Sequence, residues 1–172
     1  MKKVFLFAFL STLMIYGKAQ DAETRLKDKG IILTTPRKPV ANFVNAVRVG
    51  NILFLAGKGP TREDGSSITG KIGKDLSLEQ GYEAAKLTAI NHLSVLKAEL
   101  GSLNKVKRIV KVLGMVNCTE DFKDQPKVIN GYSDLMVEIF GDKGKHARSA
   151  VGMYALPSNI AVEVEVIVEI ED

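Results

Sequence analysis

The chain has 172 residues, 45% of them hydrophobic and 26% charged, which is the size and balance of one ordinary globular domain with room for a real core. A single cysteine, Cys118, excludes an intramolecular disulfide framework, and the only two histidines, His92 and His146, lie far outside metal-ligand spacing, so no metal or other cofactor is expected. The formal net charge of +4 owes three units to Lys2, Lys3 and Lys18 near the N-terminus; without them it is +1, and the basic pI is no argument for a nucleic-acid partner.

Lys2-Lys3 followed by the 14-residue, mostly apolar run from Val4 to Gly17 reads as an export leader. Gly17-Lys18-Ala19 supplies small residues for a signal peptidase, with cleavage expected before Gln20. The run is shorter than the ~20 apolar residues a bilayer span takes. Residues 1–19 are therefore assigned as a signal peptide, and the mature protein is expected to be periplasmic or secreted and free of the membrane. Residues 20–29 are highly charged and are expected to form a loose leader. The domain itself is expected over 30–172.

From Gly30 the pattern turns strand-like at Ile31-Ile32-Leu33, broken by Pro36 and Pro39. Asn42 to Val49 and Asn51 to Ala56 are short strand candidates joined at Gly50-Asn51, a hairpin signal. Gly57-Lys58-Gly59-Pro60 ends the pair, and Arg62 to Lys74 reads as a long exposed loop. Ser77 and Gln80 form a capping box, after which Tyr82, Ala85, Ala89, Leu93, Leu96 and Leu100 make one apolar helical stripe closed by Gly101. Val106 to Asn117 predicts a long strand. A second helix starts near Pro126, presents Val128, Ile129, Tyr132, Leu135, Met136, Ile139 and Phe140, and stops at Gly141. Strands follow at Ser149 to Tyr154 and Ala161 to Ile170. A five-stranded α+β sandwich with both helices on one sheet face is the economical packing. Met153, Tyr154 and the aliphatic set Val162, Val164, Val166, Val168 and Ile170 are then expected on the other face, where partner subunits would cover them.

The chemistry concentrates at the C-terminus. Lys145 to Gly152 places Arg148 at the mouth of a strand, and Glu163 and Glu165 follow on what reads as a neighbouring strand. A guanidinium forks onto a carboxylate with two parallel hydrogen bonds. A glutamate in an apolar ladder is a candidate acid or base, although from periodicity alone a solvated residue on the polar side of an edge strand is the better reading of Glu163. The lesser reading of Arg148 is a salt link that bridges subunits. Asn130-Gly131 is an unfavourable pair for a helix interior and points to a role beyond packing.

These residues in this order resemble the Rid (YjgF/YER057c/UK114) family, also called endoribonuclease L-PSP. The match runs from about Gly30 to the C-terminus through Asn42-Phe43-Val44-Asn45-Ala46-Val47, Gly50-Asn51, Gly57, the Ser77 helix, Val128-Ile129-Asn130-Gly131, Ala147-Arg148-Ser149, Leu156-Pro157 and the Val-Glu-Val-Glu ending. The wording looks closest to a branch other than the well-known deaminases. The resemblance implies a chorismate-mutase-like α+β fold and a homotrimer with sites in clefts between subunits. It implies hydrolysis of enamines and imines to 2-oxo acids and ammonia on a small carboxylate-bearing metabolite. By the same resemblance Arg148 clamps the substrate carboxylate, Glu163 positions water and moves protons, Asn130 lines the pocket, and Phe43 and the backbone near Gly57 complete it. The chain departs from the deaminase pattern at Phe43 (commonly tyrosine), Ala56 (serine) and Ala150 (cysteine). A binding module without turnover is the alternative those losses favour. An endoribonuclease, which would want a basic groove and a histidine or metal cluster, is the weaker one.

Overall fold

The structure, a computed structural model, describes residues 20–171; the expected signal peptide lies outside the described residues. Helix α2 (Leu78–Leu100) starts where its capping box says it should: Ser77 Oγ accepts from Gln80 N at 3.2 Å and Gln80 Oε1 accepts from Ser77 N at 2.8 Å. It ends at Gly101, whose φ of 75° is the left-handed cap. Helix α3 (Gln125–Phe140) opens on Pro126 and packs against α2. Gly131 explains how closely: a Cβ there would collide with the Tyr82 carbonyl of α2. The glycine of the Asn130-Gly131 pair is thus a packing residue, contrary to the role beyond packing that the pair suggested.

The strands are β1 (Ala46–Val49), β2 (Ile52–Lys58), β3 (Val106–Asn117), β4 (Ala147–Met153) and β5 (Val162–Ile170), in the sheet order β1-β2-β5-β3-β4. All pairs are antiparallel except β3 with β4, whose connection crosses through α3. The Gly50-Asn51 hairpin forms as expected, with Val49 opposite Ile52 and Gly50 at φ 57°. The fold class is the expected α+β one.

Several expectations are corrected. Residues 20–29 are no loose leader: α1 (Ala22–Asp28) is capped by Asp21 and buries Ala22 and Leu26. Glu23 ties it down, accepting from Lys97 Nζ and Leu103 N at 2.7 Å each and from Ser102 Oγ at 3.3 Å. Ile31 to Leu33 pairs with no strand. The 62–74 loop is pinned by bridges from Thr69 to Ile160 and from Ile72 to Cys118, with Ile72 fully buried. Arg148 and Glu163 are not on neighbouring strands, because β3 runs between β4 and β5. Finally, Val162, Val164, Val166, Val168 and Ile170 are at most 2% exposed, beneath the helices. The face left open carries Val47, Phe54 and Val151 with Glu163, Glu165 and Ile167, paired across the strands.

Candidate functional site

Arg148 sits on edge strand β4 opposite Val112, a core residue, so its side chain leans to the helical side. There Nη1 donates to Asn130 Oδ1 at 2.9 Å and to Ser133 Oγ at 3.0 Å, and Nη2 donates to the Pro126 carbonyl at 3.4 Å. Asn130 and Ser133 stand one turn apart on α3, which is why both reach one guanidinium. Ser133 is oriented in turn by His146. The His146 Nδ1 donates to the Gly144 carbonyl at 2.6 Å, which leaves Nε2 to accept the Ser133 hydroxyl at 3.0 Å. Burial lowers the His146 pKa, and the positive Arg148 lowers it further, against the Gly144 hydrogen bond. A neutral imidazole is what this chain of bonds requires. All three acceptors on Arg148 are neutral, and it forms no ion pair among the described residues.

Glu163 lies on the open face opposite Met115 and leans over Gly57, where a Cβ would collide with its carboxylate. The local cause is a β-bulge: Leu55 pairs with Val166 and Lys58 with Val164, so Ala56 and Gly57 together face Glu165. Burial pushes the Glu163 carboxyl above the usual carboxylate range, and neighbouring Glu165 pushes it the same way. Glu163 accepts no hydrogen bond among the described residues, so nothing offsets that shift.

A buried pair joins the two regions through the core. His92 Nε2 donates to the Ala56 carbonyl at 3.2 Å, and the Tyr132 hydroxyl donates to His92 Nδ1 at 3.0 Å. Both residues are fully buried, with rings edge to face at 84°. Burial depresses the His92 pKa to about 4, so the ring is neutral. Tyr132 lies between Asn130 and Ser133 on α3, and Ala56 precedes Gly57.

The structure therefore brings Arg148 together with Asn130, and Glu163 together with Gly57, as two half-sites. It does not bring the halves together, since they occupy opposite faces of the sheet. Phe43 lies before β1 and is 52% exposed. Sequence reasoning missed Ser133, His146 and the His92–Tyr132 pair. The signal for Ser133 is its place one turn after Asn130, and for His146 its place two residues before Arg148, just ahead of β4.

The family model for "YjgF/chorismate_mutase-like, putative endoribonuclease" proteins matches residues 23–170. Protein TCP17 of Trypanosoma cruzi is 39% identical over 86% of this chain and 92% of its own length. A 2-iminobutanoate/2-iminopropanoate deaminase of Dermatophagoides farinae is 32% identical over 81% of this chain and 96% of its own. Among solved structures, the Agrobacterium tumefaciens protein Atu1372, of unknown function, superposes with a TM-score of 0.80 at 40% identity, covering 87% of this chain and 94% of that one.

Proposed function

The chain belongs to the YjgF/chorismate mutase-like (Rid) family, and from that premise we propose that it hydrolyses small 2-imino acids, and the enamines in equilibrium with them, to 2-oxo acids and ammonia. The observation that carries this reading is Arg148: a guanidinium braced by neutral oxygens on α3 and paired with no carboxylate among the described residues, which leaves its charge for a substrate's. The similarity to a named imine deaminase supports the same chemistry.

The substrate enters as a protonated imine bearing a carboxylate. Arg148 holds the carboxylate, which supplies most of the proximity term. Glu163, whose raised pKa brings it toward the working pH of a general base, takes a proton from water as the oxygen bonds to the imine carbon. The C=N electron pair moves to nitrogen, giving a carbinolamine. Glu163 returns the proton to nitrogen, the C–N bond breaks, and the C=O forms as the hydroxyl proton leaves with ammonia. One water is consumed, and a 2-oxo acid and an ammonium ion are released.

Because the half-sites face opposite ways, one copy must supply Arg148 and another Glu163. The reading therefore includes an assembly of copies, the homotrimer that the family resemblance implies, with the open face carrying Val47, Phe54 and Val151 turned inward to its neighbours. It includes export as well: processing before Gln20 would leave Asp21 as the cap of α1, which N-terminal sequencing of extracytoplasmic protein checks.

The test is hydrolysis of iminopropionate and iminobutyrate, generated in situ, by residues 20–172, with Arg148→Gln and Glu163→Gln alongside. Accelerated 2-oxo acid release, lost in both variants, is expected. No acceleration by a folded oligomer sinks the reading. Phe43 and Ala56, which lack hydroxyls, favour the second reading, capture of a small carboxylate without turnover. Saturable 2-oxo acid binding that needs Arg148, with no catalysis, would select it.

A further inference from the structure

A cavity of about 180 Å³ lies on the helical side of the sheet, apart from Arg148 and Glu163, between the 34–37 segment, the chain leaving β2, and α2. Three cations line it: Arg37, Lys58 and Arg62, with Thr35 and Thr61 beside them. We propose that it binds the phosphate group of a small phosphate monoester.

Lys58 reaches this side only because of the bulge. A regular ladder would pair it with Glu163 on the open face, whereas the extra residue pairs it with the core residue Val164. Its ammonium is half-buried, and burial lowers its pKa with no opposing carboxylate. The partner it has is neutral: Nζ donates to Asn45 Oδ1 at 2.5 Å. The same amide donates from Nδ2 to the Arg37 carbonyl at 3.2 Å, holding the Arg37 segment beside Lys58. On the other wall, Asn91 Nδ2 donates to the carbonyls of Gly59 at 2.9 Å and Thr61 at 3.1 Å, fixing the path of the chain into Arg62. Arg62 Nη1 also meets a neutral atom, Ser66 Oγ at 3.2 Å.

The scaffold is thus built from asparagine and serine, and none of the three cations forms an ion pair among the described residues. Two acids stand near. Glu63 lines the cavity, and the exposed Asp64, held by Ser66, is influenced by Arg62 and Arg37. They offset part of the charge and leave a net positive hollow.

Size and donor pattern choose the ligand class. Drug-sized ligands fill roughly 300–1,000 Å³, so this cavity suits a compact anionic head and not a whole dinucleotide. Donors on three separate segments, with threonine hydroxyls among them, match the several oxygens of a tetrahedral phosphate better than the two oxygens of a carboxylate.

Calorimetric titration of residues 20–172 with inorganic phosphate and with glycerol 3-phosphate, at fixed ionic strength and with acetate for comparison, tests this. Saturable binding of one ligand per chain is expected, with acetate weaker by at least about tenfold. Lys58→Met and Arg62→Gln should each weaken phosphate binding by about tenfold or more, the effect of losing one charge-assisted contact. Arg148→Gln should leave it unchanged, so the outcome is independent of the deaminase reading. Arg62 is on the cavity rim, and its variant reports even where Lys58→Met fails to fold. No saturation by about 10 mM phosphate, equal affinity for acetate, or undiminished binding in Arg62→Gln would overturn the proposal.

Discussion

Replacing Gly131 by alanine sets two effects of opposite sign against each other, and the structure decides between them. In an open helix interior the change should stabilise by about 1 kcal/mol, because glycine carries that penalty relative to alanine. Here the new Cβ would meet the Tyr82 carbonyl head on, 2.9 Å from its carbon and 3.2 Å from Lys86 N. Both neighbours are helix backbone, so no rotamer change relieves the contact, and α3 must move off α2. A gap of 0.5–1 Å forfeits roughly a quarter to a half of each dispersion contact across the interface, and overpacking of this kind costs about 1–3 kcal/mol. Across the helix pair Val128 lies against Gly81 and Tyr132 bonds His92, with Val128, Tyr132 and His92 all fully buried, so the upper half of that range applies. The net expectation is destabilisation by about 1–2 kcal/mol, a fall of the urea midpoint by roughly 0.5–1 M. Because α3 carries Asn130 and Ser133, the same shift should loosen Arg148 and raise KM more than it lowers kcat. An unchanged or higher midpoint would refute the close-approach argument.

Three other changes probe separate parts of the structure. Glu163→Gln should abolish turnover yet raise the melting temperature at pH 7. The folded carboxyl binds its proton more tightly than the unfolded one, so stability falls as pH rises through the window above pH 4.5, and glutamine removes that fall. Tyr132→Phe should cost about 1–2 kcal/mol by stranding the buried His92 Nδ1, read from denaturant melts. His92 itself has a depressed pKa, so its contribution is whole above pH 6.5 and is lost as pH falls toward 4; a wild-type stability flat across that window would contradict it. Glu23→Ala should cost about 1–2 kcal/mol by leaving Leu103 N without its acceptor. A melt identical to wild type would mean that α1 contributes nothing to stability.

What the sequence disclosed follows the range of the interactions involved. The capping box at Ser77, the glycine stop at Gly101 and the α3 stripe are contained within one helix each, and all are where the pattern puts them. Helix α1 was hidden because seven mostly charged residues hold only Ala22 and Leu26 to the core, and Glu23 is secured by partners some eighty positions away. Sheet order is also non-local. Alternation along β5 separates valines from glutamates but does not say which set the helices cover, and the aliphatic set was assigned to the wrong side. Arg148 and Asn130 were visible through their motif. Ser133 and His146 were not, because a serine on a helix and a histidine in a loop gain a role only once Arg148 is placed against Ser133.

Ala56 and Gly57 together occupy the space of one residue opposite Glu165, and that surplus lets one strand face two ways. In a regular strand each position spends its side chain on a single face and its carbonyl in the ladder. Here Ala56 turns its carbonyl inward to His92, Gly57 offers bare backbone outward to Glu163, and Lys58 returns to the interior. A homologue shortened by one residue at this point could keep the sheet, both long helices and the core, but a single position would then have to serve both the imidazole and the carboxylate. Over these few residues, the count is under tighter constraint than the spelling.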